Sequence, residues 1–229
     1  MSRVIIIMAK VPRAGNVKTR LQPFLSPAEC ETLAEAFLAD AISKTRNLCD
    51  HLIIAFAPAG EKDYFARFDF ENLILIEQTG ANLGDKMFNA FEFAFQTILE
   101  RSVVMIGTDS PTFPARFVED AFARLENDAE TVLGKAADGG FYLIGLRKNF
   151  KHLFENIEWS SPRVHAQITR SIEQLKISLQ TVPAWYDVDN SEDLLQLKAE
   201  MFGDEQMKFT APQTFQWLIA NRKIFDGET

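Results

Sequence analysis

Residues 103–111 read Val-Val-Met-Ile-Gly-Thr-Asp-Ser-Pro, and the predicted fold is organised around them. Four apolar residues, mostly β-branched, followed by Gly and Pro predict a buried strand that stops abruptly at Gly107. Asp109 then stands beyond the carboxyl end of that strand, where open α/β sheets bind their ligands. Its carboxylate suits a hard divalent cation, and the Ser/Thr-rich turn offers hydroxyls and N–H groups to phosphate. Taken alone, the stretch is better explained as a turn and a helix cap.

The segments around this strand alternate between strands and helices. Strands are predicted at 4–8, 52–57, 73–76, 131–134, 141–146 and 179–182. Helices are predicted to begin at Pro27, after 85, after Pro111, at Ser161-Pro162 and at Asn190, and a last helix is predicted over 212–225. Ser26 and Glu29 form a capping box around Pro27. The alternation predicts a parallel, Rossmann-like sheet, and the close pair of strands over 131–146 predicts that the sheet is mixed.

Composition limits the classes of function. The chain has 229 residues and a formal charge of −8, with basic residues scattered, which argues against a nucleic-acid partner. Its two cysteines, Cys30 and Cys49, exclude a disulfide framework and a cysteine zinc site, and they suit a reducing cytoplasm. No run is long enough for a signal peptide or a membrane span. We therefore expect a cytoplasmic protein.

The strongest local concentration of positive charge follows the first predicted strand. Lys10, Arg13, Lys18 and Arg20 lie within eleven residues, and Gly15 lets the backbone approach a ligand. Lys18 and Arg20 are suited to phosphate oxygens. The G-x-x-x-x-G-K-[ST] pattern of a P-loop is not met. The alternative is an exposed basic loop without a ligand.

Asp187-Val188-Asp189 places two carboxylates two positions apart. If the segment is extended, both side chains point the same way and can share a cation with Asp109. Three clustered carboxylates would otherwise repel one another, and a bound Mg²⁺ or Mn²⁺ would neutralise that repulsion. The alternative is that Asp187 ends a strand and Asp189 caps the next helix.

Asp138-Gly139-Gly140 precedes an aromatic strand, so its bare backbone can lie against a substrate. Taken alone, the stretch favours a simple hairpin turn. Trp159 and Ser161 can put an indole N–H and a hydroxyl beside a substrate, or serve as a core residue and a helix cap.

Two further glycines, Gly80 and Gly84, can approach a nucleobase or simply shape a loop and a helix cap. The three histidines are far apart and form no metal spacing. No serine stands in a nucleophile-elbow context, so hydrolase chemistry has no support.

Together these motifs form one pattern across residues 4–197. They are Lys10-x-Pro12-x-x-Gly15-x-x-Lys18-Thr19-Arg20-Leu21, Gly107-Thr-Asp109-x-Pro111, Asp138-Gly-Gly140-Phe-Tyr-Leu143, Trp159-Ser-Ser161 and Asp187-Val-Asp189. The pattern resembles the glycosyltransferase-like family called radical-SAM/selenodomain-associated transferase 1. It is more distantly similar to guanylyltransferases acting on 2-phospholactate or phosphoenolpyruvate. The resemblance implies an α/β, three-layer Rossmann-like GT-A (nucleotide-diphospho-sugar transferase) fold with a mixed, mostly parallel central sheet.

The resemblance also implies a transferase with a nucleotide over the first strands and a divalent metal on Asp109. We expect Lys18, Arg20 and Asp109 to be catalytic, and Asp109, Asp187 and Asp189 to hold Mg²⁺ or Mn²⁺. The expected nucleotide-binding residues are Lys10, Pro12, Arg13, Gly15, Lys18, Arg20, Gly80, Gly84 and Thr108, and the expected acceptor-binding residues are Asp138, Gly139, Gly140, Trp159 and Ser161. The chain departs from the family's pattern in having Ser161 and Asn190 where Thr is frequent, and Lys135 where a small residue or Pro is expected.

Three functions fit this pattern. The preferred one is nucleotidyl transfer, in which a small phosphorylated or acidic acceptor attacks the α-phosphate of a nucleoside triphosphate and pyrophosphate leaves. Such chemistry depends mostly on positioning and charge neutralisation. The alternatives are glycosyl transfer from a nucleotide-diphospho-sugar and a non-catalytic nucleotide-binding module. The basic loop mildly favours the first, and the three aspartates argue against the third.

We expect one nucleotide-binding transferase domain over residues 1–203, with residues 204–229 as its C-terminal helical extension. The expected partners are a nucleotide and a small-molecule acceptor, with neither nucleic acid nor a membrane. A homodimer is left open.

Overall fold

The strands form one seven-stranded sheet within the residues that this computed structural model describes, which are 2–68, 70–99 and 101–226. They are β1 (Ser2–Lys10), β2 (His51–Ala57), β3 (Leu73–Glu77), β4 (Arg101–Ile106), β5 (Thr131–Ala136), β6 (Phe141–Leu146) and β7 (Leu179–Trp185). Their order across the sheet is β3-β2-β1-β4-β6-β5-β7. Neighbours run parallel except where β6 pairs with β4 and β5. The predicted mixed, mostly parallel sheet is confirmed.

Helices cover both faces of this sheet. They are α1 (Pro27–Thr45), α2 (Lys62–Ala66), α3 (Leu83–Thr97), α4 (Arg116–Glu126), α5 (Val164–Gln174), α6 (Ser191–Gly203), α7 (Met207–Thr210), α8 (Pro212–Ala220) and α9 (Arg222–Asp226). The predicted capping box starts α1, with the Ser26 N–H donating to Glu29 Oε2 over 2.6 Å. A second capping box, made by Asn190 and Asp193, starts α6. Asn190, not Asp189, therefore caps this helix.

The core has two layers because the central strands are apolar on both faces. Alternate residues such as Ile5, Ile7 and Ile106 pack against α1, α2 and α4. The residues between them, such as Ile6 and Met105, pack against α3 and α5. All five are at most 2% exposed, so β1 and β4 are fixed rigidly at the centre of the sheet.

The C-terminal segment packs on the side of α1 that faces away from the sheet. Asp40 of α1 accepts the Gln213 and Thr214 N–H groups over 2.9 and 2.8 Å, which satisfies the start of α8. The predicted single helix over 212–225 is wrong, since α8 ends at Ala220. The Trp217 carbonyl accepts both the Asn221 N–H, over 3.0 Å, and the Asn221 side-chain amide, over 2.8 Å, so Asn221 caps the end of α8. Residues 227–229 of the predicted extension lie outside the described residues.

Candidate active site

A cavity of about 740 Å³ opens at the edge of the sheet where the parallel strands end. Its wall combines the loop after β1, the turn after β4, the β5–β6 turn, the segment before α5 and the segment after β7. The predicted site residues that line it are Lys10, Lys18, Arg20, Thr108, Asp109, Asp138, Gly140, Trp159, Ser161, Asp187 and Asp189. The volume is within the range of small-molecule sites in proteins.

Lys18 lines the cavity and joins three chain segments. Its side chain is only 7% exposed, and its Nζ lies 2.5 Å from Asp109 Oδ1 and 3.8 Å from Asp189 Oδ1. The same ammonium donates to the Val188 carbonyl over 2.7 Å. The backbone of Lys18 is left-handed, at φ 49°, an uncommon conformation for a residue other than glycine. The loop after β1 is thus tied to the turns after β4 and β7.

Asp187 and Asp189 both line the cavity, while Val188 between them is fully buried. The Val188 N–H donates to the Asp109 carbonyl over 2.8 Å, which holds the two acidic segments side by side. Asp187 accepts a hydrogen bond from the Ser110 hydroxyl. Asp189 faces Arg20, whose Nη1 lies 3.5 Å from its Oδ2.

Burial disfavours the charged forms of these two carboxyls. It raises the pKa of Asp187 to about 7, with the charges of Asp109, Asp138 and Asp189 adding to the effect and the Ser110 hydrogen bond opposing it. Burial likewise raises the pKa of Asp189, against the opposing charge of Lys18. The site therefore holds more acidic groups than its own cations balance.

No three Asp, Glu, His or Cys side chains form a ready metal site in the part of the chain that the structure describes. The Lys18 ammonium lies between Asp109 and Asp189, and Asp187 is turned towards Ser110. The donor set nevertheless has the right chemistry for a hard divalent cation, because it consists of carboxylate oxygens that repel one another. A cation here would compete with Lys18 for the same oxygens.

The β5–β6 turn and the segment before α5 (residues 159–163) build the end of the cavity away from the loop after β1. We call this the far end. Asp138 Oδ1 accepts the Gly140 N–H over 2.8 Å, as in the predicted turn. Gly139 has φ 94°, and a Cβ there would collide with the Pro162 backbone, so this turn and the Trp159–Ser161 segment fit together closely.

The predicted helix start at Ser161 is wrong, because α5 begins at Val164. Ser160 has φ 66°, and the Ser161 hydroxyl accepts the Arg163 N–H over 3.3 Å, which keeps this segment in a turn. As a consequence, Ser160 and Ser161 line the cavity instead of forming the first turn of a helix.

Several predicted binding residues do not line the cavity. They are Pro12, Arg13, Gly15, Gly80, Gly84 and Gly139. Arg13 points away and pairs with Glu61, with 2.8 Å between Nη2 and Oε2. Gly84 lies under Trp159, where an added Cβ would be 2.9 Å from Cζ2. Gly84 and Gly139 therefore support lining residues from behind.

Two polar residues at this edge were not predicted as site residues from the sequence. Gln78 follows β3 and lines the cavity, and its Nε2 donates to the Ala9 and Ala55 carbonyls over 3.1 and 2.8 Å. Lys44 of α1 donates to the Pro111 and Phe113 carbonyls over 2.5 and 2.7 Å and so holds the loop after Asp109. Burial lowers the pKa of Lys44 to about 7. The position of Gln78 after a strand, and a lysine on the apolar face of α1, were the available signals.

The fold is shared with a class of solved proteins, the nucleotide-diphospho-sugar transferases and nucleotidyltransferases. A protein from Desulfovibrio desulfuricans G20, provisionally named a nucleotide-diphospho-sugar transferase, superposes with a TM-score of 0.89 at 28% identity, covering 99% of this chain and 98% of its own. The inositol-1-phosphate CTP transferase of T. maritima shares the fold at 14% identity, with a TM-score of 0.55 and coverage of 91% and 96%. The predicted GT-A class is confirmed.

The chain belongs to the family described as "Uncharacterized protein conserved in bacteria (DUF2064)", whose sequence profile matches residues 33–161. It is also similar to the 2-phospho-L-lactate guanylyltransferase of Methanocaldococcus fervens, with 28% identity over 150 residues. That match covers 65% of this chain and 63% of the relative, so the chain spans less than two thirds of its length. The 2-phospho-L-lactate guanylyltransferase of Methanosphaera stadtmanae is 24% identical over 159 residues, with 67% of each chain covered. The predicted resemblance is confirmed.

Among the helices of the described residues, not one combines the length and the apolar character needed to cross a bilayer.

Proposed function

We propose that this protein is a metal-dependent nucleotidyltransferase. An acceptor oxygen forms a bond to the α-phosphorus of a nucleoside triphosphate, the bond from that phosphorus to the bridging oxygen breaks, and pyrophosphate leaves. The observation that carries this proposal is the convergence of Lys18 and Arg20 with Asp109, Asp187 and Asp189 on one cavity. Such a displacement needs cations for the phosphates and carboxylates for a metal ion.

The basic residues would hold the triphosphate. Lys10 ends β1, and Lys18 and Arg20 follow in the loop after it, so the phosphates would lie on that side of Asp109. Lys18 would exchange its bond to Asp109 for phosphate oxygens. Asp109, Asp187 and Asp189 would hold Mg²⁺ or Mn²⁺, which when bound supplies further neutralisation of phosphate charge.

The geometry of Gln78 favours a base with N–H donors. Both hydrogens of its amide nitrogen are committed to the Ala9 and Ala55 carbonyls, so the group left for a ligand is the Oε1 acceptor. Guanine presents adjacent N–H donors on its Watson–Crick edge. Since two relatives are named guanylyltransferases, GTP is the first nucleotide to test.

A second candidate is glycosyl transfer from a nucleotide-diphospho-sugar. It is favoured by the Desulfovibrio protein, which matches nearly the whole chain. The same carboxylates would hold the metal, and the donor would release a nucleoside diphosphate in place of pyrophosphate.

A thermal-shift panel tests the proposal. Nucleoside triphosphates, nucleoside diphosphates and nucleotide-sugars are each added with and without MgCl₂, since a ligand that binds the folded state raises Tm. We expect a Mg²⁺-dependent rise with GTP, followed by pyrophosphate release when an acceptor is supplied. A rise with a nucleotide-sugar alone, and release of nucleoside diphosphate, would favour glycosyl transfer. No rise with any nucleotide would contradict both.

A further inference from the structure

The charges on the cavity wall are strongly segregated. Among the described residues that line it, the lysines and arginine are Lys10, Lys18 and Arg20, which come from the end of β1 and the loop after it. In the sheet, β4 lies between β1 and β6, so β4 and the turn with Asp109 that follows it separate this loop from the β5–β6 turn. The far end presents Asp138, Phe141, Trp159, Ser160 and Ser161. Its wall is therefore aromatic, hydroxyl-bearing and acidic.

Two cations lie close to the far end in sequence but do not line the wall. Arg163 pairs with Glu158, with 2.5 Å between Nη2 and Oε2. Lys135 is an exposed residue of β5 and is also outside the lining residues. Neither is placed to neutralise an anion inside the cavity.

The N-terminus of α5 offers no replacement for a cation. Helix N-termini bind anions through free N–H groups. Here the Arg163 N–H donates to Ser161 Oγ, the Val164 N–H to the Ser161 carbonyl and the His165 N–H to the Gly139 carbonyl. These three donors are already used by the protein.

The carboxylate of Asp138 belongs to the wall of this far end. Its charge adds to the repulsion felt by Asp187 and Asp189, so it lies within electrostatic reach of the reacting centre. A carboxylate on the ligand at this end would meet Asp138 without a counterion. Hydroxyl groups, in contrast, donate hydrogen bonds to a carboxylate and to serine oxygens.

We infer that the part of the acceptor beyond its reacting oxygen is uncharged and hydroxyl-bearing, as in a sugar or polyol or the phosphate of one. This inference rests on the proposed function, because it takes the basic end to hold the nucleotide. It departs from the acidic acceptor expected from the sequence. It allows a phosphate at the reacting position, where Lys18 and a metal ion would meet it, and excludes a carboxylate at the far end.

Matched pairs of compounds test this inference. Glucose 1-phosphate and glucuronic acid 1-phosphate differ by a hydroxymethyl group in place of a carboxylate, as do glycerol 2-phosphate and 2-phosphoglycerate. Free glucose and glycerol test a hydroxyl as the reacting group. Each is supplied with Mg²⁺ and the triphosphate that raises Tm, and pyrophosphate release is measured. We expect the uncharged member to react faster by about 10-fold or more, since a like charge opposite Asp138 is strongly unfavourable.

Asp138→Asn identifies the cause of the preference. The amide oxygen of the introduced side chain can still accept the Gly140 N–H, so the turn is kept, while the charge is removed. We expect the preference within each pair to shrink at least threefold, and Asp128→Asn, at a fully exposed carboxylate, to leave it unchanged. An equal or faster reaction of the carboxylate member, or of an amine in place of the hydroxymethyl, would overturn the inference while pyrophosphate release upholds the function. Absence of any nucleotide-dependent Tm rise would instead contradict the proposed function itself.

Discussion

The two ends of the cavity are built on different principles. The basic end is a loop held by ion pairs, in which Lys18 binds Asp109 and Arg20 faces Asp189. The far end is held by backbone fit, with Gly139 against Pro162 and Gly84 under Trp159. Charges can exchange partners when an ionic ligand arrives, whereas close backbone packing preserves a shape. Under the proposed function, one end would recognise phosphate charge and the other would recognise the shape and hydroxyls of an acceptor.

The largest effect should come from Asp109, which lies between the two ends of the cavity. Asp109→Asn should lower metal-dependent turnover by about 10²–10³-fold, since it removes one preorganised charge from the reacting centre. The measurement is initial rate against Mg²⁺ concentration, with Asp128→Asn as the exposed control. Unchanged rates and Mg²⁺ dependence would show that Asp109 is not a metal ligand.

Lys18→Met should separate nucleotide binding from metal binding. We expect triphosphate affinity to fall by about 10- to 100-fold, the range for losing charged hydrogen bonds. In the absence of nucleotide, Mn²⁺ affinity should rise, because Asp109 and Asp189 lose the ammonium between them. Mn²⁺ binding is measured by electron paramagnetic resonance.

Lys10→Met is the matched control for this prediction. Within the described residues, Lys10 forms no ion pair with these carboxylates, so Mn²⁺ affinity without nucleotide should stay unchanged. Equal metal affinity in the wild type and the Lys18 variant would contradict the proposed competition.

Two arginines of the same loop should behave differently. Arg20 lines the cavity, whereas Arg13 pairs with Glu61 outside it. Arg20→Met should weaken triphosphate binding by about 10-fold, and Arg13→Met by less than about twofold. Isothermal titration with the preferred triphosphate measures both. A larger loss with Arg13→Met would place the phosphates on the Glu61 side of the loop.

The smallest effect is a pH-dependent gain in stability. Because burial raises the pKa of Asp187 from 3.8 to about 7, its carboxyl stabilises the fold below pH 4, and this contribution is lost as pH rises through 7. Asp187→Asn should therefore raise Tm at pH 8, by about 1 kcal/mol or 2–4 °C, and change it little at pH 4. Melting curves at both pH values, without metal, test this. An equal change in Tm at both pH values would mean that ionisation of Asp187 does not destabilise the free protein.

The sequence predicted the sheet well because its information is local. Apolar runs such as 4–8 and 103–106 can be stable only as buried strands, and Ser26-Pro27 marks a helix start by its own chemistry. The errors fell where tertiary contacts decide. Ser161-Pro162 has the composition of a helix start, but its hydroxyl accepts the Arg163 N–H in a turn.

The sequence predicts where the residues of the candidate site lie better than it predicts how their side chains are oriented. Lys18, Asp109 and Asp189 follow different strands that end at one edge, so their convergence follows from the topology. The direction of Arg13 does not, because Glu61, its partner, is 48 residues away. Nor does a sequence show that Lys18 would bind Asp109 in the free protein, since that pair depends on a left-handed backbone at residue 18.

The most direct test of the two-ended cavity is a crossed titration of Arg20→Met and Asp138→Asn. Each variant is titrated with the preferred triphosphate, and then, with a non-hydrolysable triphosphate analogue saturating, with the preferred uncharged acceptor. We expect Arg20→Met to weaken binding of the triphosphate alone and Asp138→Asn to weaken binding of the acceptor alone. If both variants weaken the same ligand, or if Arg20→Met weakens the acceptor alone, the division of the cavity into a phosphate end and an acceptor end is contradicted.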